Sequence, residues 1–288
     1  MTRIWDRDNL HAWCVVPFDE VKRGPEARAQ MLADLGIRTF SYDWRAENVP
    51  HFGEELDALA RHDIELLGWW WWPEQDEKEL RYALDTFASR DVRPRLWFMQ
   101  GENLLPDRLP RTAEQQQERI ELEAQRALRV SELARGHGID LYTHNDWFGI
   151  PDNLVAVVEK ARELGVPEIG ISYNFSHARD EIHDDTVDFD ALWSRIQPYV
   201  TSVNLAGTHF EDDTTLFPGD GEHDLEMMRV IEDSGWQGPV GVIAETGGDA
   251  EVSLRNAILR VEWLAAELIQ PGSGGAKPCA RQRGTNAE

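Results

Sequence analysis

The sequence has few cysteines, few basic side chains relative to acidic ones, and no long apolar segment. Two cysteines in 288 residues suit a reducing cytoplasm better than a secreted, disulfide-stabilised fold. Acidic residues outnumber basic ones by 53 to 29, and a formal net charge of -24 argues against nucleic acid or an anionic membrane surface as a partner. No apolar run is long enough to span a membrane, and the polar start, residues 1–8, does not resemble a signal peptide. We therefore expect a cytoplasmic protein that acts on a small molecule.

Short strand-like apolar runs alternate along the chain with longer segments of helical period. This alternation predicts a parallel sheet with helical crossovers, and eight such units predict an α/β protein with the (β/α)8 TIM barrel fold. The predicted strands are 12–16, 39–43, 66–70, 95–100, 140–144, 169–173, 202–206 and 240–244. The predicted helices are 25–35, 52–61, 77–89, 112–135, 151–164, 189–196, 224–232 and 252–268. We expect one domain over residues 1–270 and a disordered tail over 271–288.

Polar side chains follow the predicted strands, at the barrel face where active sites of this fold lie. Any one of them could be a solvated loop residue or a helix cap, but together they can hydrogen-bond several hydroxyl groups and transfer protons beside a carbonyl. The candidate acid/base residues are His144, His177, Glu245, Asp43 and Glu102. The candidate substrate-binding residues are Arg45, Trp70, Trp72, Trp97, Gln100, Asn145, Trp147, Asn174, Asn204 and His209. This set predicts a site for a sugar or another polyol.

Four consecutive tryptophans occupy positions 69–72, at the end of the third predicted strand. Because side chains alternate along a strand, two of these rings should face the barrel axis and two the helical layer. The inward pair can either fill the core or form a wall for the C–H face of a sugar ring. Trp44, Trp97 and Trp147 lie at or near other strand ends and are candidates for the same wall.

The order of motifs resembles the xylose isomerase-like TIM barrel superfamily. The resemblance covers nearly the whole chain before the tail and includes residues 12–19, 23–28, 42–45 and 144–149. It implies an isomerase or epimerase that moves a proton next to the carbonyl of a sugar or keto-sugar. It also implies a divalent metal, manganese, magnesium or zinc, held by a Glu, an Asp, a His and a Glu on strands five to eight.

The sequence departs from that ligand pattern. Strand five carries Tyr142 or Thr143 at the corresponding position, strands six and seven carry Asn174 and Asn204, and strand eight carries Ile243. Neutral groups attract a hard divalent cation far less than carboxylates do, so the usual metal site is in doubt.

Two arrangements of the site stay open. A rearranged metal site would use His144, His177 and Glu245, a set that suits a transition metal. In a metal-free reaction, His144 and His177 would exchange the protons, because histidine titrates near neutral pH.

Several functions and states remain as alternatives at this point. The chain could be a lyase or hydrolase that acts on a keto-glycoside, or a barrel that binds a sugar or a protein partner without catalysis. The superfamily also contains DNA-repair endonucleases, but the acidic charge balance disfavours that activity.

The acidic turn 219–222 would repel a phosphate, which favours an unphosphorylated substrate. We expect a monomer or a homodimer.

Overall fold

Eight parallel strands close into one barrel, in which β1 pairs with both β2 and β8. The computed structural model describes residues 3–71, 77–98, 112–144, 148–175, 188–207, 215–244 and 248–279. The strands are β1 (Leu10–Trp13), β2 (Thr39–Asp43), β3 (Glu65–Trp71), β4 (Arg95–Phe98), β5 (Ile139–Tyr142), β6 (Ile169–Asn174), β7 (Val200–Leu205) and β8 (Val240–Ile243). The predicted (β/α)8 fold is confirmed.

Helices follow the strands and surround the barrel. Within the described ranges they are α1 (Pro25–Asp34), α2 (Phe52–Arg61), α3 (Glu77–Ala88), α4 (Ala113–Leu133), α5 (Pro151–Glu163), α6 (Phe189–Ile196), α7 (Asp224–Asp233) and α8 (Ala250–Ile269). Pro25 and Pro151 open their helices at the first turn, where proline needs no hydrogen-bond donor. Thr112 and Asp249 cap α4 and α8 by accepting backbone N–H bonds. Of the helices in the described ranges, none combines the length and the apolar character that crossing a bilayer requires.

The first strand lies earlier in the chain than its apolar pattern predicts. We expected residues 12–16, but β1 spans Leu10–Trp13. Cys14 has a φ of 54°, outside the β region, which ends the strand there. The apolar pattern missed the start of the strand because its second residue, His11, is polar and yet buried. By contrast, β2 and α2 have their predicted bounds.

The tryptophan run alternates between the two sides of the sheet, as predicted for its described members. Trp69 and Trp71 face the helical layer and stack at a centroid distance of 6.3 Å within the main core. Trp70 faces the barrel interior, where it joins a separate buried group with Trp13, Trp97 and Tyr142. We call these four side chains the lumen cluster. Trp72 lies outside the described residues.

The beginning of the C-terminal segment packs against the barrel. The Trp263 indole N–H donates to Gly275 O at 3.2 Å, and Lys277 Nζ lies 2.6 Å from Asp220 Oδ1 in the loop after β7. Arg260 of α8 pairs with the same carboxylate at 2.7 Å. Residues 280–288 lie outside the described ranges, and the division into one domain and a disordered tail stays a prediction.

Replacing Gly241 by alanine should destabilise the barrel. A Cβ at this position of β8 would lie 2.7 Å from His11 Nε2 and still closer to Asn204 Oδ1. Overpacking of this kind costs about 1–3 kcal/mol of unfolding free energy, which denaturant titration would measure. The control is Gly24→Ser, because a Cβ on Gly24 has no heavy atom within 4 Å. Equal stability of the two variants would contradict the close packing described for Gly241.

Candidate functional site

Asp43 and Arg45 lie at the mouth of the barrel, at the carboxyl end of β2. The Asp43 side chain is buried, with a relative exposure of 2%, and its Oδ1 lies 3.9 Å from Arg45 Nη2. Arg45 donates from Nη1 to Trp44 O at 2.9 Å, and its guanidinium lies over the Trp70 ring at 5.0 Å from the centroid. The arrangement places a half-buried cation over the Trp70 ring and beside a buried carboxylate.

The lumen cluster forms that aromatic surface. The Trp13 ring packs edge-on against Trp97 at 5.1 Å and against Trp70 at 6.3 Å, and Trp97 stacks on Tyr142 at 6.3 Å. The interlocked rings fix one another, because each is held in an edge or stacked geometry. All four side chains are buried, with relative exposures of 1–8%.

The positions where the resemblance implies metal ligands are hydrogen-bonded to neutral neighbours. The Tyr142 hydroxyl accepts from Trp13 Nε1 at 3.2 Å and also from the Asn174 side-chain amide. Asn204 Nδ2 donates to Ser172 Oγ at 3.2 Å. A phenol and two amides offer little charge to a hard divalent cation. The described residues of strands five to seven therefore do not fit the usual metal site.

His144 follows β5 at the same mouth. Its backbone N–H donates to Gly149 O at 3.0 Å, and its side chain is half-buried. Among the candidate acid/base residues, His144 is one whose side chain the structure describes and which keeps partial access to solvent.

Several predicted site residues lie outside the described ranges. They are His177, Glu245, Glu102, Trp72, Gln100, Asn145, Trp147 and His209. The rearranged metal set of His144, His177 and Glu245 thus has one described member. In the described part of the chain, His, Cys, Asp and Glu side chains form no group of three or more that could hold a metal ion.

One tryptophan expected at the sugar wall lies elsewhere. Trp44 packs edge-on against Phe52 at 5.1 Å and Trp69 at 5.3 Å, and its Nε1 donates to Glu79 at 2.9 Å. Because Asp43 faces the barrel axis, the next residue faces the helical layer. The expectation that Trp44 lines the site is therefore wrong, whereas Trp70 and Trp97 do face the interior.

A polar contact that we did not predict joins the loops after the first and last strands. Asp19 accepts backbone N–H bonds from Arg23 at 3.0 Å and Ala250 at 3.2 Å, and it pairs with the Arg23 guanidinium at 2.8 Å. Arg23 also pairs with Asp249 at 2.8 Å. We call these four residues the loop clasp. Both Asp19 and Arg23 lie in the segments that carry the family resemblance, and this was the one sequence signal that could have pointed to the contact.

The comparisons with solved structures agree with this architecture. One match is the 3-keto-D-glucoside 4-epimerase YcjR from E. coli, with 14% identity, a TM-score of 0.63, and coverage of 89% of this chain and 98% of that chain. Another is the IOLI protein with a bound zinc atom, with 13% identity, a TM-score of 0.63, and coverage of 90% and 97%. A third is a xylose isomerase domain protein from Alicyclobacillus acidocaldarius subsp. acidocaldarius, with 18% identity, a TM-score of 0.62, and coverage of 90% and 98%.

These three matches support the (β/α)8 barrel as the class of fold. More narrowly, the chain is similar in fold to a sugar epimerase and to a xylose isomerase domain protein. Neither the protein-family models nor the curated proteins match its sequence. At these identities the likeness concerns the fold alone.

Replacing Asp19 by asparagine should weaken the loop clasp in a pH-dependent way. Burial by itself raises the pKa of Asp19, but the N–H donors and the Arg23 charge outweigh it, and the pKa lies below its ordinary value. Near neutral pH the variant should lose about 1.5–3 kcal/mol of unfolding free energy, the range for hydrogen bonds to a charged group.

The sign of the pH dependence follows from the lowered pKa. The contribution of Asp19 is complete above the unfolded pKa of about 3.9 and is lost as the pH falls through the folded pKa. Denaturant titrations should therefore show the difference between the wild type and Asp19→Asn closing as the pH falls below the unfolded pKa. The exposed Asp8→Asn change serves as the control, and a difference that persists at low pH would contradict the ionic origin.

Proposed function

We propose that the chain is a cytoplasmic, carbohydrate-active isomerase or epimerase that moves a proton next to the carbonyl of a sugar or keto-sugar. The observation that carries the proposal is the Arg45 guanidinium, which lies over Trp70 of the lumen cluster and beside the Asp43 carboxylate. The aromatic rings would hold the apolar face of the sugar, while the charged pair would bind its hydroxyl and carbonyl oxygens. Sugar epimerases among the proteins of similar fold support the same reaction class.

The reaction assigns a separate role to each group. His144 takes the proton from the carbon next to the carbonyl, and the C–H electron pair becomes the double bond of an enediolate. Arg45 donates a hydrogen bond to the oxygen that gains the charge. Return of the proton to the neighbouring carbon, together with transfer of the hydroxyl proton to the former carbonyl oxygen, gives isomerisation. Return to the opposite face of the same carbon gives epimerisation, and this outcome needs a second acid, for which Asp43, His177, Glu102 and Glu245 are the candidates.

No step of this scheme passes through a metal. The neutral groups Tyr142, Asn174 and Asn204 stand where carboxylate and imidazole ligands are implied, and they bond to neighbouring side chains. The rearranged set of His144, His177 and Glu245 remains the proposal for manganese, magnesium or zinc, in keeping with the zinc atom of the IOLI protein.

A second candidate function is carbohydrate binding without catalysis. The amides Asn174 and Asn204 favour it, because they are held in hydrogen bonds within the barrel and carry no acid/base function. On that proposal the aromatic rings and Arg45 would still bind a sugar, as a monomer or a homodimer, and His144 would have no chemical role.

Replacing His144 by alanine should abolish turnover while the protein still binds sugar. A panel of ketoses, aldoses and 3-keto-glycosides, followed by solvent deuterium incorporation, would detect proton transfer, and elimination products would reveal a lyase. We expect a loss of about 100- to 10,000-fold in rate, the usual contribution of a general base. The exposed His51→Ala change is the matched control. Undiminished exchange in His144→Ala would reject this role.

Elemental analysis of the purified protein tests the metal alternative. The neutral ligand positions predict no stoichiometric metal at the usual site, and full activity after treatment with a chelator. One metal per chain that is lost in His144→Ala would instead support the rearranged site. Binding of a sugar in calorimetry, with no turnover of any panel member, would favour the non-catalytic barrel.

A further inference from the structure

After α8 the chain folds back along that helix toward the loop after β7. Gly272 and Gly275 have φ values of 84° and 71°, which glycine adopts without strain, and they turn residues 270–277 back on α8. The Glu267 carboxylate holds the first of these turns, because it accepts from Gly272 N at 2.7 Å and from Gly274 N at 2.8 Å. We call residues 270–277 the C-terminal strap.

The glycines of the C-terminal strap are required by its packing against Trp263 of α8. A Cβ on Gly274 would lie 2.6 Å from Trp263 Cδ1, so only glycine fits beside the indole. The indole N–H donates to Gly275 O at 3.2 Å, and Lys277 Nζ lies 5.9 Å from the centroid of the indole ring. A segment rich in glycine is commonly a flexible linker. Here each of these contacts defines the path of the strap over the Trp263 ring.

The end of the C-terminal strap contacts the turn that follows the loop after β7. Lys277 Nζ donates to Gly219 O at 2.5 Å and lies 2.6 Å from Asp220 Oδ1. Arg260 Nη1 of α8 approaches the same carboxylate oxygen at 2.7 Å, and its guanidinium lies over the Phe217 ring at 5.2 Å. The Asp220 carboxylate is therefore held between two cations, one on the helix and one on the strap.

This turn packs against the base of a loop at the barrel mouth. Gly207, which follows β7, donates its backbone N–H to Leu216 O at 2.8 Å, so the intervening stretch starts and ends at one point. A Cβ on Gly207 would lie 2.5 Å from Phe217 O, so the turn and the strand end are in close contact. In sequence, the stretch between Gly207 and Leu216 includes His209, a candidate substrate-binding residue. Displacement of the turn would therefore disturb the base of this loop.

Polar contacts at the surface hold the C-terminal strap in place. Among residues 271–279, Gly274 and Pro278 are half-buried and the others are exposed. Burial by itself raises the pKa of Asp220, but the bonds from Lys277 and Arg260 outweigh it and the pKa lies below its ordinary value. The carboxylate is thus charged at neutral pH and available to both cations. Because the strap buries little apolar surface, it can detach at a lower free energy than global unfolding requires.

We propose that the C-terminal strap is a releasable fastening for the loop after β7. With Lys277 bound to Gly219 and Asp220, the strap fixes the turn at the base of the loop. When Lys277 leaves, the turn loosens while the barrel stays folded, and Arg260 keeps the charge of Asp220 compensated. The inference goes beyond the proposed function, because its test follows the backbone of the turn and needs no substrate.

Hydrogen exchange of the full-length protein, followed by mass spectrometry, tests this fastening. Lys277→Met keeps the aliphatic chain but removes the charge and the donor. We expect peptides that cover 216–224 to exchange up to about fivefold faster than in the wild type, the range for a partly exposed ion pair. The matched control is Lys160→Met, which removes a surface ion pair with Glu121 at 3.1 Å away from the strap, and it should leave these peptides unchanged. In about 1 M salt, where charges are screened within roughly 3 Å, the wild type should approach Lys277→Met.

Gly274→Ala releases the C-terminal strap in a different way, because its Cβ would collide with Trp263 and no charge is altered. It should also accelerate exchange in 216–224, while peptides from the barrel strands keep the wild-type rate. Unchanged exchange of 216–224 in Lys277→Met would overturn the proposal. So would equal acceleration in the strands, because that result indicates global destabilisation. If Gly274→Ala does not fold, Lys277→Met and its salt dependence decide the question alone.

Discussion

Closure of the sheet is the constraint on which the rest of this structure depends. Once eight strands form a cylinder, every second side chain of each strand shares one narrow interior. Large rings from β1, β3, β4 and β5 fill its upper part, and glycines on β3 and β8 make room for polar groups lower down. The barrel is thus divided into an aromatic upper layer and a polar lower layer. The packing of the rings determines the floor of the mouth above them.

Much of this architecture could be predicted because it follows from local patterns. The alternation of strand and helix segments predicts the barrel, and period-two alternation predicts which tryptophans face inward. What the sequence could not predict depends on contacts between distant strands. The position of β1 depends on Cys14, whose left-handed φ ends the strand. The burial of His11 depends on Gly241, which lies 230 residues later in the chain and is adjacent only after the barrel closes.

In the candidate site, too, some features follow from local sequence patterns and others depend on contacts between distant strands. Asp43, Arg45, Trp70 and Trp97 were predicted from their places at strand ends, and the structure brings the first three into contact. The role of Tyr142 was harder to predict, because its hydroxyl partners come from β1 and β6. The Asn174 amide donates to that hydroxyl, so two of the neutral groups at the positions where the resemblance implies metal ligands bond to each other.

The loop clasp lies across the seam where the first and last strands of the cylinder meet. Glu20 N also donates to Gly248 O at 3.0 Å, so the two loops share main-chain as well as side-chain bonds. In a closed barrel every strand has two neighbours, but only at one seam are the neighbours the first and the last strands of the chain. On the face that holds the mouth, the clasp joins two segments from opposite ends of the chain across that seam. A substitution in either loop therefore changes the contacts of a segment from the other end of the chain.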